Sequence, residues 1–218
     1  ACHDELPHST SLSTGATACN CKVGHFLDVD ACVPCHFATY KPAHGNGSCT
    51  QCLVHKNTSA AGAVSEDECE CLPGFTSAAD LGASECAACG IGTYQPEQGN
   101  AKACKSCGAG GTTTDAGETT AADCIPLAGH YMAGENLFLQ CPADTYRVFI
   151  ISSDPADYAL GSCAACPARA SSPAGSTELA ACACAGPAHV ASTGVACVCA
   201  AGYYLLDGAC AECPADSF

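Results

Sequence analysis

Tryptophan is absent from this chain of 218 residues, methionine occurs once, and phenylalanine and tyrosine occur only 6 and 7 times. Few side chains are therefore large enough to fill a core. The hydrophobic fraction is 48%, but most of it is alanine and cysteine. At roughly 25 cal/mol per Å² of apolar surface removed from water, side chains so small do not offset the entropy of ordering the chain. Basic residues are also scarce. Seven Lys and Arg stand against 22 Asp and Glu, a formal charge of −15, which argues against nucleic acid or an anionic membrane surface as partner. No apolar run approaches the ~20 residues of a membrane helix, and no hydrophobic leader of a secretory signal stands before Ala1-Cys2.

The chain is rich in cysteine, with 23 residues of that type. Such density belongs to disulfide scaffolds of oxidising compartments, so the sequence predicts an extracellular protein. Cross-links of about 2–4 kcal/mol each then supply what the missing core does not.

The cysteines form a repeating ladder of C-x2-C, C-x2-C and C-x-C, running Cys32/Cys35, Cys49/Cys52, Cys69/Cys71 and then Cys86/Cys89, Cys104/Cys107, Cys124. Other residues recur at fixed offsets from it. An aromatic lies five residues after the second cysteine of each opening pair, or after Cys141 where the first is missing: Tyr40, Tyr94, Tyr146 and Phe218. A glycine lies three residues after each C-x-C with an aromatic close behind, as in Gly24 with Phe26, Gly74 with Phe75 and Gly202 with Tyr203. Another precedes the C-x-C by seven, at Gly62, Gly117 and Gly175. One structural unit is used several times. The glycines predict tight turns at positive φ, and the aromatics predict pins covering disulfides.

These offsets divide the chain into a partial repeat over 1–31, full repeats over 32–85, 86–140 and 141–212, and the start of another over 213–218. Cys213-Pro214-Ala215-Asp216-Ser217-Phe218 restarts the motif of Cys141-Pro142-Ala143-Asp144-Thr145-Tyr146, and with the leaderless start it sets the expectation of a window on a longer array.

The repeat over 86–140 has lost two cysteines together, with Pro126 in the place of Cys71 and Phe138 in the place of Cys86. Joint loss points to a bonded pair, Cys71 with Cys86. Extended to neighbours, the rule pairs Cys2 with Cys19, Cys21 with Cys32, Cys35 with Cys49, Cys52 with Cys69, Cys89 with Cys104 and Cys107 with Cys124. It continues with Cys141 to Cys163, Cys166 to Cys182, Cys184 to Cys197 and Cys199 to Cys210, leaving Cys213 for a partner beyond Phe218. Crossed connectivities stay open, because spacing alone does not select among them.

The repeat over 141–212 carries two additions. The Cys141–Cys163 loop is long and contains Arg147-Val148-Phe149-Ile150-Ile151, the strongest β-type run in the chain. An extra small loop beginning Ala185-Gly186-Pro187-Ala188-His189 lies between Cys184 and Cys197. The run is read as packing against that loop or as a contact surface for another chain. Elsewhere Gly, Pro, Ser and Thr punctuate every stretch, so the expected fold class is small and disulfide-rich, an extended tandem array of short β-hairpin and turn modules with almost no helix.

The stretch Cys86-Ala-Ala-Cys89-Gly-Ile-Gly-Thr-Tyr94-Gln-Pro-Glu-Gln-Gly99, continued by Cys104-Lys-Ser-Cys107 and on to Cys124, resembles the ephrin-receptor-like, or GCC2/GCC3, cysteine-rich repeat. The preceding unit, with Tyr40 and Cys69-Glu-Cys71-Leu-Pro-Gly-Phe75, resembles it too. That family is related in architecture to EGF-like and tumour-necrosis-factor-receptor-like modules. The resemblance implies rod-forming arrays of receptor ectodomains, secreted scaffolds, protist surface proteins or the mastigoneme filaments of algal cilia. The alanine, glycine and threonine bias favours the last of these.

Each candidate site has a plainer reading beside it. Cys32-x2-Cys35 with Cys49-x2-Cys52 has the spacing of a four-cysteine zinc site, but cysteines that vanish in twos favour disulfides, so no metal and no cofactor is expected. Asn46-Gly47-Ser48 and Asn57-Thr58-Ser59 are N-glycosylation sequons. The acidic run Glu66-Asp67-Glu68-Cys69-Glu70 is similar to calcium-binding EGF modules, but its sister positions lack carboxylates, so a solvated turn is the better reading. His3, His8, His25, His36, His44, His55, His130 and His189 show no ligand spacing. No nucleophile, base and orienter pattern stands out, so no catalytic residue and no enzyme is expected. The function expected is a structural repeat of a cell-surface, ciliary-filament or matrix glycoprotein, glycan-bearing and partnered by copies of itself or another filament chain. The alternative is a receptor ectodomain that binds ligand through the Cys141–Cys163 loop.

Overall fold

A computed structural model describes residues 8–10, 19–77, 85–149, 162–184, 186, 189–192, 196–207 and 209–214. Cys2, Ile150, Ile151 and Phe218 lie outside them. Among the described residues there is no α-helix, and every sheet is an antiparallel pair of strands. The strands run from 2 to 5 residues. The chain is a small disulfide-rich series of tandem modules.

Each repeat lays down the same three ladders. The first is a hairpin, His25–Asp28 with Ala31–Pro34, Phe75–Ser77 with Cys86–Ala88, or His130–Gly134 with Leu137–Gln140. The second joins Thr39–Tyr40 to Thr50–Gln51, Thr93–Tyr94 to Lys105–Ser106, or Thr145–Tyr146 to Ala164–Ala165. The third joins Lys56–Thr58 to Cys69–Cys71, Gly111–Thr112 to Ile125–Pro126, or Ala170–Ser171 to Ala183–Cys184. A single 3-10 turn precedes the last strand each time, at Glu66–Glu68, Ala121–Asp123 and Leu179–Ala181.

One turn rule generates this pattern. Three residues after a ladder cysteine the backbone is left-handed, at Gly24, Ala38, His55, Gly74, Gly92, Gly110, Asp144, Arg169 and Gly202. The residue that follows donates its N–H back across the turn, as Thr39 does to His36 O at 3.2 Å, Lys56 to Leu53 O at 3.2 Å and Thr93 to Gly90 O at 3.0 Å. Positive φ at the third turn residue alone is the signature of a type II turn. Four of the positions carry Ala, His, Asp or Arg, which the glycine count in the sequence concealed.

Sulfur takes the place of a core. Cys21, Cys35, Cys69, Cys71, Cys124 and Cys141 are fully buried, whereas Val29, Phe37, Val54 and Ile91 stand exposed. Among pairs with both cysteines in the described residues, ten bridges join neighbours, from Cys21–Cys32 through Cys35–Cys49, Cys52–Cys69, Cys71–Cys86, Cys89–Cys104, Cys107–Cys124, Cys141–Cys163, Cys166–Cys182 and Cys184–Cys197 to Cys199–Cys210. Cys213 is a free, half-buried thiol. Where the repeat over 86–140 lacks a bridge, Ile125, Pro126 and Phe138 are buried instead. A Cβ on Gly111 would sit 2.4 Å from Phe138 Cε2, so glycine there makes the room that a phenyl ring needs and a disulfide does not.

The described part of the Arg147–Ile151 run is not a strand. The ladder stops at Tyr146, because the backbone of Arg147 is committed elsewhere: its N–H donates to Ser176 O at 3.0 Å and its carbonyl accepts from Gly129 at 2.9 Å. Val148 and Phe149 beyond it are exposed. Contacts divide the chain into two compact units, 1–106 with 115–120, and 107–114 with 121–218.

Candidate functional site

The candidate site is the junction between repeats, where the recurring glycines of the sequence meet. At Gly24, four backbone hydrogen bonds converge. Gly24 N–H donates to Lys41 O at 2.9 Å, Cys35 N–H to Gly24 O at 2.7 Å, Gly62 N–H to Cys35 O at 2.8 Å and Lys41 N–H to Ala63 O at 3.0 Å. The same clasp recurs at Gly74, with Gln95, Cys89, Gly117 and Glu118, all bonds falling at 2.8 to 3.0 Å. In the second unit it recurs at Gly129, with Arg147, Cys141, Gly175 and Ser176. The two glycine families seen in the sequence are therefore partners. A Cβ on Gly24, Gly74 or Gly129 would lie 2.2, 2.2 or 2.3 Å from the carbonyl oxygen of Gly62, Gly117 or Gly175, closer than any real Cβ contact.

The residue after each tyrosine fills the clasp with a long polar side chain. Lys41, Gln95 and Arg147 are 7%, 1% and 6% exposed. Lys41 Nζ donates to His25 O at 2.8 Å and to Gly45 O, and Gln95 Nε2 donates to Ala103 O at 2.7 Å. Burial lowers the pKa of both Lys41 and Arg147 from the usual lysine and arginine range. The tyrosines themselves form parallel bridges, Tyr40 to Ala63, Tyr94 to Glu118 and Tyr146 to Ser176, so their backbones matter as much as their rings.

Two further parts of the junction, a ring stack and an asparagine contact, were not read from the sequence, although Phe75 was aligned there. The residue after the clasp glycine is a ring each time, and where it is His25 or Phe75 it stacks on His8 at 4.5 Å or His55 at 4.1 Å. Phe26, the aromatic aligned from the sequence, instead meets His36 edge-on at 5.6 Å. A Gly-Asn pair also reaches back to the preceding C-x-C strand. Gly45 N–H donates to Cys21 O and Gly99 N–H to Cys71 O, each at 2.9 Å, and Asn46 and Asn100 accept from the N–H of the same two cysteines at 3.0 and 3.1 Å. The recurrence of Gly-Asn ten residues after Cys35 and Cys89 was the legible signal.

The remaining candidates fall into local roles. Cys32, Cys35, Cys49 and Cys52 bond to three different sets of partners, so these sulfurs do not meet at one point. Among the described residues no group of three or more His, Cys, Asp and Glu could hold a metal ion. The acidic run is a capping box: Ser65 Oγ accepts from Asp67 N–H at 3.2 Å, and Glu68 Oε1 accepts from Val64 and Ser65 N–H at 2.7 and 3.1 Å. Asn57 lies half-buried on the Lys56–Thr58 strand.

Residues 24–69 and 74–124 match the family described as tyrosine-protein kinase ephrin type A/B receptor-like. These segments are ephrin-receptor-like cysteine-rich repeats. Each ephrin-receptor-like match begins on a clasp glycine, Gly24 or Gly74, and ends on the cysteine after a 3-10 turn, Cys69 or Cys124. Similar repeats occur in the rat sushi, von Willebrand factor type A, EGF and pentraxin domain-containing protein 1, 30% identical over 154 residues covering 67% of this chain and 4% of that protein. Cysteine repeat modular protein A of Toxoplasma gondii is 30% identical over 132 residues, 55% of this chain and 4% of that protein. Mouse signal peptide, CUB and EGF-like domain-containing protein 3 is 30% identical over 132 residues, 56% of this chain and 13% of that protein. The chain thus spans a small part of the curated relatives it matches, as a cysteine-rich repeat region like those of multidomain cell-surface or secreted proteins. Its disulfides and ectodomain-type repeats point to the extracellular side.

Proposed function

We propose that this region is a structural spacer of a surface or matrix glycoprotein, in which each repeat is locked to the next and the sides of the repeats carry contacts to copies of the chain or to a second filament protein. The observation that carries the reading is the recurrence of one four-bond clasp at Gly24, Gly74 and Gly129. Most bridges close loops within a repeat, while the clasps and the Cys21–Cys32 and Cys71–Cys86 bridges join one repeat to the next, and together they restrict both kinds of motion that would let a spacer collapse. The acidic balance of −15 keeps such a chain soluble until a specific contact forms. Placement on a ciliary filament draws on composition alone, the relatives coming from rat, mouse and Toxoplasma gondii.

Analytical ultracentrifugation and electron microscopy of the native protein test the reading. Polymers or uniform filaments containing the chain are the expected result, whereas a monodisperse protein attached to a single membrane span overturns it. That second outcome supports a ligand-binding ectodomain, a reading favoured by one observation, the exposure of Val148 and Phe149 at the start of the long Cys141–Cys163 loop.

A further inference from the structure

The two sequons are not equivalent in the folded chain. Asn46 Oδ1 accepts from Cys21 N–H at 3.0 Å while its Nδ2 donates to Cys19 O at 3.2 Å. The carboxamide thus pairs with the strand edge as a neighbouring backbone would, and its orientation is fixed because an N–H donor needs the oxygen. Asn100 forms the same pair one repeat later, accepting from Cys71 N–H and donating to Cys69 O, both at 3.1 Å. Asn100-Ala101-Lys102 is not a sequon. Asparagine therefore occupies this repeat position for the clamp, and Ser48 makes a sequon of it by coincidence.

Amide chemistry sets clamp and glycan against each other. A carboxamide that pairs through both its atoms uses the N–H on the same side as its oxygen. An N-linked sugar carbon takes that same position, because a substituted amide keeps its two carbon substituents trans. Asn57 has no such conflict. Its Oδ1 accepts from Thr58 N–H at 2.9 Å, and among the described residues its Nδ2 makes no hydrogen bond.

We propose that Asn57 is the N-glycan acceptor of this chain and that Asn46 is kept unmodified by its clamp on Cys19 and Cys21. Both clamp partners precede Asn46, so the clamp competes with sugar transfer from the moment Asn46 enters the folding compartment. The proposal rests on the extracellular reading, and the test separates the two. The full chain is expressed behind a secretion signal in a glycosylating eukaryotic cell, so that entry to the pathway is imposed, and glycopeptides from cells and medium together are mapped after enzymatic release in heavy-oxygen water. The expected result is a label at Asn57 and at least tenfold lower occupancy at Asn46. A Cys21→Ser/Cys32→Ser variant, which loosens the clamped strand, is expected to raise Asn46 occupancy several-fold, and a misfolded variant still reports because the intracellular pool is included. Equal occupancy at the two sites overturns the proposal. So does an unmodified Asn57, and so does a variant in which Asn46 stays unmodified, since low occupancy would then belong to the sequon rather than the fold.

Discussion

A single methyl group is the finest probe of a clasp. Gly74→Ala puts a Cβ 2.2 Å from Gly117 O in a backbone at φ +83, and neither backbone can retreat without breaking the four bonds around it. We expect a loss of about 3 kcal/mol or more in denaturant titration. Gly108→Ala, at φ +88 with nothing within 4 Å, meets only the conformational strain and should cost about 1 kcal/mol, so the difference isolates the clash. Lys41 offers a second probe. Because burial depresses its folded pKa, the folded state disfavours the charged form. The stability it contributes is complete above the unfolded lysine pKa and is lost as pH falls through the lower folded value. Melting of the wild type, on a Cys213→Ser background that removes thiol exchange, should therefore rise relative to Lys41→Gln as pH climbs through the alkaline range. Glutamine is the apt reference because Gln95 fills the same place in the next clasp. Truncation to Lys41→Ala leaves His25 O and Gly45 O without their donor and should cost about 1–3 kcal/mol.

At the scale of the element, the missing bridge is the informative case. Phe138→Ala removes one of the few large apolar side chains that are buried, and an expected loss of about 3 kcal/mol follows from the cavity. Pro126→Cys with Phe138→Cys restores the ladder's pattern, and loops of this length predict a gain of about 3 kcal/mol per bridge, read as a higher melting temperature that vanishes on reduction. Much of this level was legible beforehand. Joint loss of two cysteines, the two glycine families and the turn-rich punctuation all reported one repeated unit, because each is fixed by covalent geometry or by positive φ, although the pairing of those families was not legible. What escaped was set by neighbours across a junction. The stacking of His55 on Phe75 and the clamp of Asn46 on Cys21 join residues distant in sequence, and only the clamp leaves a sign, the Gly-Asn recurrence after Cys35 and Cys89 that shows when repeats are compared. The Arg147–Phe149 stretch failed as a strand for the same reason, since β propensity yields where a clasp already uses the backbone.

For the whole molecule, the fold depends on oxidation rather than on burial. Full reduction should abolish protease resistance throughout, since the buried apolar set is mostly cysteine, whereas a protein with an independent core would keep part of it. Non-reduced peptide mapping is expected to recover each neighbour pair, Cys71 with Cys86 above all, and recovery of Cys69 with Cys86 would refute the wiring. That wiring also fixes how the chain answers a pull on its ends. Neighbour bridges hide every loop they close, leaving one or two residues of open path between successive bridges from Cys21 to Cys210, with one exception. Between Cys124 and Cys141, where Pro126 and Phe138 stand in for a sulfur pair, the covalent path has no shortcut. At roughly 3.3–3.6 Å per extended residue this stretch alone can release on the order of 50 Å. An optical trap should record that one discrete lengthening in oxidised protein and lose it in the Pro126→Cys/Phe138→Cys variant. The gap in the ladder would then serve as an overload fuse, letting the chain yield at one chosen place before any disulfide is strained.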